Sequence, residues 1–253
     1  MTKNFQNKRE GSYFSRFEIK YILNKELSEN IQKKITDFMV YDGFAGKSID
    51  KKYFVRSLYF DNNSYHNFHQ KIDGLKIRHK FRIRTYSKKN AELSKIFLEK
   101  KGRFNERTFK IRRKILNNSV KYFLCDTNLV SLKNKYKKDK LVDEFIFDVY
   151  KKRIKPKVLI DYYRKPFINK NGVYFRLTFD SNITACHTDN LYADESEFKQ
   201  TIPGFDVLEV KFDRTIPPWF QKIIQSFELK RLSVSKFVLG CEATNLAYDY
   251  DGK

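Results

Sequence analysis

Ten lysine and arginine residues stand on short segments in which charged and apolar residues alternate. They are Arg16, Lys20, Lys80, Arg82, Arg84, Lys101, Lys110, Arg112, Arg176 and Lys211. Four acidic residues, Glu18, Glu99, Asp180 and Glu209, share the charged positions of the same segments. Arginine binds phosphate through a planar fork, lysine offers a movable point charge, and carboxylates are hard oxygen ligands for Mg²⁺ or Mn²⁺. The set is therefore suited to holding a phosphate chain together with a divalent cation.

The alternation also predicts the elements that position these side chains. A period of two residues is typical of strands with one polar and one apolar face. It predicts eight strands, at 16–21, 53–60, 80–84, 96–101, 109–112, 158–164, 174–180 and 207–212. Many of them follow one another closely along the chain, which favours an antiparallel arrangement.

Helices are predicted between the strands from apolar residues at helical spacing. One spans 25–38 with Asn24 as N-cap, one spans 139–150, and one spans 217–229 after two prolines suited to a first turn. A last segment begins near Ser235. Such helices need an apolar surface to cover, and the apolar faces of the strands supply it.

The opposite faces of the strands are more basic than the water-facing side of an ordinary sheet. With helices outside, these faces point inward, and burying like charges costs several kcal/mol each unless an anion compensates. We therefore predict an α+β fold in which a closed antiparallel eight-stranded β-barrel is surrounded by helices. Its lumen is expected to be wet and to hold a polyanion.

Composition supports a folded, strongly basic protein. Of 253 residues, 41% are hydrophobic and 16% aromatic, which is unlike a disordered chain. There is no Gly- or Ser-rich linker and no repeat, so one domain over residues 1–253 is expected. A net charge of +22 attracts polyanions. Charge alone leaves nucleic acid, anionic lipid and phosphate compounds open.

The remaining sequence signals suggest a cytoplasmic protein. The three cysteines, Cys125, Cys186 and Cys241, are widely spaced, so we expect buried reduced thiols. Residues 1–10 lack the apolar region of a signal peptide, and no apolar run approaches the ~20 residues of a membrane span. His66 and His69 lie three residues apart, and we expect them on a helix surface without a metal.

Taken in order, these segments resemble the polyphosphate polymerase domain of the vacuolar transporter chaperone (VTC) family in its bacterial form. That family belongs to the triphosphate tunnel metalloenzymes, together with the CYTH-type proteins. The resemblance covers nearly the whole chain. The segments that carry it are 16–21, 57–61, 80–84, 97–101, 109–112, 162–167, 175–180, 208–211 and 235–237.

The resemblance implies a metal-dependent phosphotransferase that moves the γ-phosphate of ATP onto a polyphosphate chain, with Mn²⁺ or Mg²⁺. The catalytic residues it implies are Lys20, Arg82, Arg84, Lys101 and Arg176. The phosphate-binding residues expected beside them are Lys110, Arg112, Lys211, Ser235 and Lys236, the last two at a helix start near one tunnel mouth. The expected metal ligands are Glu209, with Glu18 or Glu99. A membrane-protein partner or an anionic membrane surface is a further implication.

One departure from the sequence pattern of the wider superfamily bears on whether the enzyme is a hydrolase or a polymerase. Hydrolytic and cyclase members carry Glu-x-Glu-x-Lys on the first strand, whereas this chain has Arg16-x-Glu18-x-Lys20. Losing the first carboxylate weakens a two-metal hydrolytic site and favours the polymerase. A tri- or polyphosphate hydrolase remains an alternative, as does a non-catalytic polyanion binder. Specific nucleic-acid binding is disfavoured because the aromatic residues mostly alternate onto the face opposite the cations.

Overall fold

The computed structural model describes residues 16–46, 48–91, 94–170 and 172–247. Residues 1–10, which lack the apolar region of a signal peptide, lie outside the described residues. The described strands are Phe17–Asn24 (β1), Met39–Tyr41 (β2), Tyr53–Asp61 (β3), Ile77–Thr85 (β4), Ile96–Phe104 (β5), Arg107–Ile115 (β6), Lys155–Asn169 (β7), Phe175–His187 (β8), Lys199–Gln200 (β9) and Phe205–Phe212 (β10). The described helices are Lys25–Ile35 (α1), Gly43–Gly46 (α2), His66–Ile72 (α3), Val120–Leu124 (α4), Leu129–Lys135 (α5), Lys140–Lys152 (α6), Pro218–Ser226 (α7) and Lys236–Ala243 (α8).

All eight predicted strands form one sheet in the order β1-β10-β8-β7-β3-β4-β5-β6. Every pair along this order is antiparallel, and the short strands β2 and β9 pair with β7 and β8. The predicted antiparallel α+β fold is therefore confirmed. The strands run longer than predicted, most of all β7 and β8.

The predicted closed barrel is not confirmed. Among the described residues, the two edge strands of the sheet are joined by hydrogen bonds at a single position. There, Arg16 and Thr108 exchange backbone hydrogen bonds of 3.3 and 3.1 Å between the start of β1 and the start of β6. No ladder of described residues continues from this bridge, so the sheet is not closed along the length of its edge strands. Even so, the bridge brings the two ends of the strand order together around a common interior.

Two apolar cores cover the outer face of the sheet. The helices α4, α5 and α6 pack on β3 to β6, where Phe145 of α6 meets the rings of Phe60 and Phe81. The helices α1 and α7 pack on β1, β8 and β10, with Ile31 and Phe220 fully buried. Each fully buried side chain of this size stabilises the fold by about 1.5–3 kcal/mol. The cores fix the parity of every strand and turn the opposite positions inward.

The helix α8 lies on the inward face of the sheet. Its Phe237 and Cys241 pack against Val55 and Ile160, which share their face with the charged side chains. Gly240 permits this close approach, since a β-carbon there would lie 2.8 Å from the Cδ1 atom of Ile160. One part of the interior is thus filled by an apolar helix, and the charged residues line what remains.

The helix ends follow the predicted signals only in part, and α7 ends at Ser226 instead of residue 229. Asn24 accepts a hydrogen bond from the Leu27 amide at 2.8 Å, as expected of an N-cap. The helix α1 ends at Ile35 instead of residue 38, because the chain turns there into β2. Ser235 precedes α8 in an extended conformation but makes no capping bond. None of the described helices combines the length and apolarity needed to cross a membrane.

The three cysteines are free thiols, as predicted, but only two of them are buried. Cys186 and Cys241 lie in the interior, where burial raises the pKa of Cys186 to about 12. Cys125 is exposed after α4, so the expectation of a buried thiol is wrong there. The apolar face of the short helix α4 is carried by Val120 and Phe123, which leaves the residue after the helix outside the core.

Candidate active site

A cavity of about 1760 Å³ runs between the sheet and α8. Its wall contains every predicted site residue except Glu99: Glu18, Lys20, Arg82, Arg84, Lys101, Lys110, Arg112, Arg176, Glu209, Lys211, Ser235 and Lys236. These side chains come from β1, β4, β5, β6, β8, β10 and α8, and strand parity directs them inward. Residues far apart in sequence are therefore gathered around one space.

One side of the cavity, here called the paired wall, consists of Arg164, Asp180, Glu209 and Lys236. Arg164 donates two hydrogen bonds of 2.6 Å to the carboxylate of Asp180 and one of 3.2 Å to Glu209. The Nζ atom of Lys236 lies 2.5 Å from Asp180 and 2.9 Å from Glu209. All four side chains are buried. Each cation thus contacts two carboxylates, and each carboxylate contacts both cations.

The pairing sets the charge states on this wall. Burial raises the pKa of Glu209, but Lys236, Lys211 and Arg164 outweigh it and hold that pKa well below its ordinary value. Burial lowers the pKa of Lys236, but Asp180 and Glu209 raise it above the ordinary lysine value. A buried ion pair with this many partners stays fully ionised at neutral pH.

Glu18 lies next to the paired wall and links it to the opposite side. Its carboxylate is 3.0 Å from Lys101, 3.3 Å from Lys20 and 3.8 Å from Lys211. Lys20 and Lys211 also contact Glu209, at 3.7 and 3.2 Å. Burial opposes ionisation of Glu18, yet these lysines hold its pKa far below the ordinary value. Two carboxylates therefore share two lysines at the centre of the cavity.

Arg82 and Arg84 are held in fixed orientations by buried partners. The Nε and Nη2 atoms of Arg82 donate to Glu99 at 2.8 and 2.6 Å, and Nη1 donates to the Tyr59 hydroxyl at 2.6 Å. Arg84 donates to Ser57 and to the Tyr162 hydroxyl, both at 3.0 Å. Both guanidinium groups are pre-oriented, which reduces the entropy lost when they bind an anion.

Three lysines, here called the lysine row, lie side by side across three strands. Lys80 is the register partner of Lys101, and Lys101 is the register partner of Lys110. Like charges directly opposite each other destabilise a sheet. Lys80 has no carboxylate within salt-bridge distance among the described residues, and its Nζ atom instead donates to Ser235 at 3.4 Å.

The lysine row has lowered pKa values. Burial and neighbouring cations bring the pKa of Lys80 well below its ordinary value. Burial lowers the pKa of Lys101 to about 8 although Glu18 opposes the change. For Lys110, Glu99 raises the pKa, but burial and the two arginines bring it to about 7. Because 44% of the Lys110 side chain is exposed, solvent screens it more than the other two.

The geometry agrees with the family comparison. The model of the VTC domain family matches residues 15–245. The chain belongs to this family. No curated protein sequence matches the chain. Its neighbours among solved structures include adenylate cyclase-like proteins and triphosphatases.

Three solved structures are among those found similar to the VTC domain. An adenylyl cyclase-type protein from Hippeastrum, with a dominant triphosphatase activity, is 12% identical, with a TM-score of 0.50 over 90% of this chain and 96% of that one. An adenylate cyclase-like protein from Bacillus halodurans is 14% identical, with a TM-score of 0.48 over 87% and 93%. The Mimivirus capping enzyme triphosphatase is 10% identical, with a TM-score of 0.37 over 87% and 90%.

The predicted metal ligands of this VTC domain offer part of a metal site. No group of three or more His, Cys, Asp or Glu side chains suited to a metal occurs among the described residues. Mg²⁺ is usually held by one or two carboxylates together with phosphate oxygens. Glu18 and Glu209, joined through Lys20 and Lys211, fit that mode because they are hard oxygen donors at one place. Glu99 is fully buried beside Arg82, and its Oε1 atom has no hydrogen-bond partner.

Some residues of the VTC domain lie elsewhere than predicted. Lys236 is buried against Asp180 and Glu209, deeper than a helix start at a tunnel mouth suggests. Arg176 pairs with Asp42 at 2.9 Å, and Arg112 is exposed with its guanidinium 4.9 Å from the Phe97 ring centroid. All of them line the cavity, so their roles in phosphate binding remain predictions.

Three important contributors were not among the predicted site residues. Arg164 follows Tyr162 by two positions on β7, so its parity already indicated an inward side chain. Lys80 lies on one of the predicted basic strand faces but is not among the predicted site residues. Tyr59 resembled a core residue, and only the contact with Arg82 reveals its role. That contact joins residues on different strands and has no local sequence signal.

Proposed function

We propose that this VTC domain is a polyphosphate polymerase that transfers the γ-phosphate of ATP onto a growing polyphosphate chain inside the cavity. The observation that carries the proposal is the lysine row, whose three adjacent, partly exposed cations contact only two carboxylates among the described residues, Glu18 and Glu99, and are therefore not fully neutralised. An anion with several charges at regular spacing supplies that neutralisation. Family membership and the tunnel-type neighbours support an activity on triphosphate or polyphosphate.

The residues of the cavity have distinct tasks in such a transfer. Arg82 and Arg84 present oriented forks to the equatorial oxygens of the transferred phosphate, while the lysine row follows the chain as point charges. The bond from the γ-phosphorus to the bridging oxygen breaks and leaves ADP. A new bond forms to the terminal oxygen of the acceptor chain. Because this oxygen is already anionic at neutral pH, its attack requires no general base.

A divalent ion held by Glu18 and Glu209 with phosphate oxygens would offset the negative charge that develops on the transferred group. The protein side chains align donor and acceptor in line, and such positioning is the main requirement of phosphoryl transfer. The lysines that now contact Glu18 and Glu209 would turn to the phosphates. The paired wall would keep Glu209 ionised throughout, because Arg164 and Lys236 remain beside it.

A tri- or polyphosphate hydrolase is the second candidate, favoured by the dominant triphosphatase activity of the Hippeastrum protein with the same fold. Arg16 counts against it in this chain. It occupies the position at which hydrolytic members of the superfamily carry the first carboxylate of Glu-x-Glu-x-Lys. Its guanidinium lies 3.7 Å from the Tyr174 ring centroid and 3.3 Å from Asp213. A cation at this position cannot hold a second metal ion.

Phosphorus NMR on the purified protein tests the proposal. The protein is incubated with ATP, Mn²⁺ and a trace of pyrophosphate, and spectra are followed over hours. Growth of mid-chain phosphate signals matched by ADP supports the polymerase. Free phosphate without chains supports the hydrolase, and no turnover leaves a polyanion binder. Arg84→Met should abolish turnover, whereas Lys133→Met, on the exposed face of α5, should not.

A further inference from the structure

The two ends of the cavity have different side chains. Tyr53, Tyr86 and Phe97 line one end, here called the aromatic mouth. The ring centroids of Tyr53 and Tyr86 are 5.8 Å apart at an interplanar angle of 68°. Those of Tyr86 and Phe97 are 6.3 Å apart at 73°. Three rings from β3, the end of β4 and β5 therefore form a continuous edge-to-face series.

The other end, where β4 begins, is basic. Its lining includes Lys71, Arg78, Arg103 and Arg231. The ring of Phe109, which also lines this end, packs directly on Gly102, since a β-carbon there would lie 2.1 Å from it. This end therefore presents cations and a ring already engaged in packing.

The rings of the aromatic mouth adjoin the phosphate-binding arginines. Tyr86 follows Arg84 by two residues, and Phe97 is the register partner of Arg84. Tyr53 is the register partner of Arg164. If these arginines bind a phosphate, a group attached to the outer side of that phosphate would therefore lie next to the rings.

Apolar packing does not account for two of the three rings, although the Arg112 guanidinium lies 4.9 Å from the Phe97 ring centroid. Tyr53 packs on the core around α8, but Tyr86 and Phe97 belong to none of the three apolar cores of the described residues. Tyr86 is 38% exposed. A polyphosphate chain offers nothing apolar to cover such rings, whereas every nucleobase has a π face that stacks on an aromatic side chain.

We propose that the aromatic mouth binds the base of a nucleoside triphosphate whose phosphates lie in the cavity. This inference rests on the proposed function, and it assigns the donor a fixed orientation. The base stacks against Tyr86 with Phe97 and Tyr53 beside it, and the terminal phosphate points toward the lysine row. Since stacking is tolerant of base identity, ATP and GTP should bind with similar affinity.

Isothermal titration calorimetry with ATP and with tripolyphosphate tests the inference. Tyr86→Ala should raise the Kd for ATP roughly tenfold, in the range expected for loss of one stacked ring, and leave the Kd for tripolyphosphate unchanged. Tyr86→Trp should retain ATP binding. The matched control is Tyr150→Ala, an exposed ring on α6, which should alter neither value. Thermal melting checks that each variant is folded.

The outcomes separate this inference from the proposed function. Equal weakening of ATP and tripolyphosphate by Tyr86→Ala, or no change in either, would overturn the nucleoside site while leaving a phosphate-binding cavity. The nucleoside site would also be overturned if the unmodified protein bound tripolyphosphate tightly but did not bind ATP. If the unmodified protein bound neither compound, the proposed function and the nucleoside site would both fall.

Discussion

The paired wall and the lysine row carry similar side chains but neutralise them differently. On the paired wall, Lys236 lies between two carboxylates, and its pKa is raised. In the lysine row, Lys80 and Lys101 lie beside each other, and their pKa values are lowered. The cations of the paired wall are therefore neutralised within the protein, whereas the lysine row is neutralised only in part. Lys101 contacts Glu18 and Lys110 contacts Glu99, but Lys80 contacts no carboxylate among the described residues. We propose that the paired wall serves mainly folding and the lysine row mainly binding.

The largest expected effect comes from breaking the paired wall. Lys236→Met leaves Asp180 and Glu209 buried with Arg164 between them. Removing one partner of a buried ion pair typically costs about 3–5 kcal/mol of stability. Urea denaturation should show a loss in that range. A loss below about 1 kcal/mol would mean that the paired wall does not hold the fold together.

The matched substitution in the lysine row should have the opposite sign for stability. Lys80→Met removes a partly buried cation that has no carboxylate partner among the described residues, so the free energy of unfolding should rise by about 1 kcal/mol. The same change should weaken tripolyphosphate binding about tenfold, because a charge-assisted contact is lost. Urea denaturation and calorimetry measure the two effects.

The control for this pair is Lys133→Met on α5, which should change neither stability nor binding appreciably. Destabilisation by Lys80→Met would show that the lysine contributes to the fold in the absence of ligand. In that case the contrast between the two sides of the cavity would be wrong.

A third prediction concerns the pH dependence of the lysine row. The pKa of Lys101 is about 8 in the folded protein, below its ordinary value of 10.5. Between pH 8 and 10.5 the unfolded chain binds more protons, so this group makes the free protein more stable as pH rises. A bound phosphate chain raises the pKa again. Binding above pH 8 should therefore take up protons, and affinity should fall about threefold per pH unit.

Lys101→Arg provides the comparison, because arginine stays charged in this range. It should reduce the proton uptake measured by calorimetry in buffers of different ionisation enthalpy. The titration of tripolyphosphate itself contributes equally to both proteins and cancels in the difference. Identical uptake by both proteins would show that Lys101 is already charged in the free cavity.

The same contrast explains what the sequence could predict. Period-two alternation located all eight main strands, and parity placed nearly all predicted site residues in one cavity. The sequence pattern could not predict which of these cations pair with carboxylates and which do not. That partition depends on which residues become register partners, such as Lys80 with Lys101, and on the inward packing of α8. Both are long-range properties that no local pattern encodes.

The smallest expected effect comes from the two tyrosines that orient the arginines between these sides. Tyr59→Phe removes the acceptor for the Nη1 group of Arg82, and Tyr162→Phe removes one acceptor for Arg84. A hydrogen bond of this kind contributes about 0.5–1.5 kcal/mol. Each variant should therefore lose about that stability, and tripolyphosphate binding should weaken about twofold because the guanidinium is less well oriented. If binding instead became tighter, the tyrosines would be competitors of the phosphate for the arginines, and the arginines would belong with the unpaired cations.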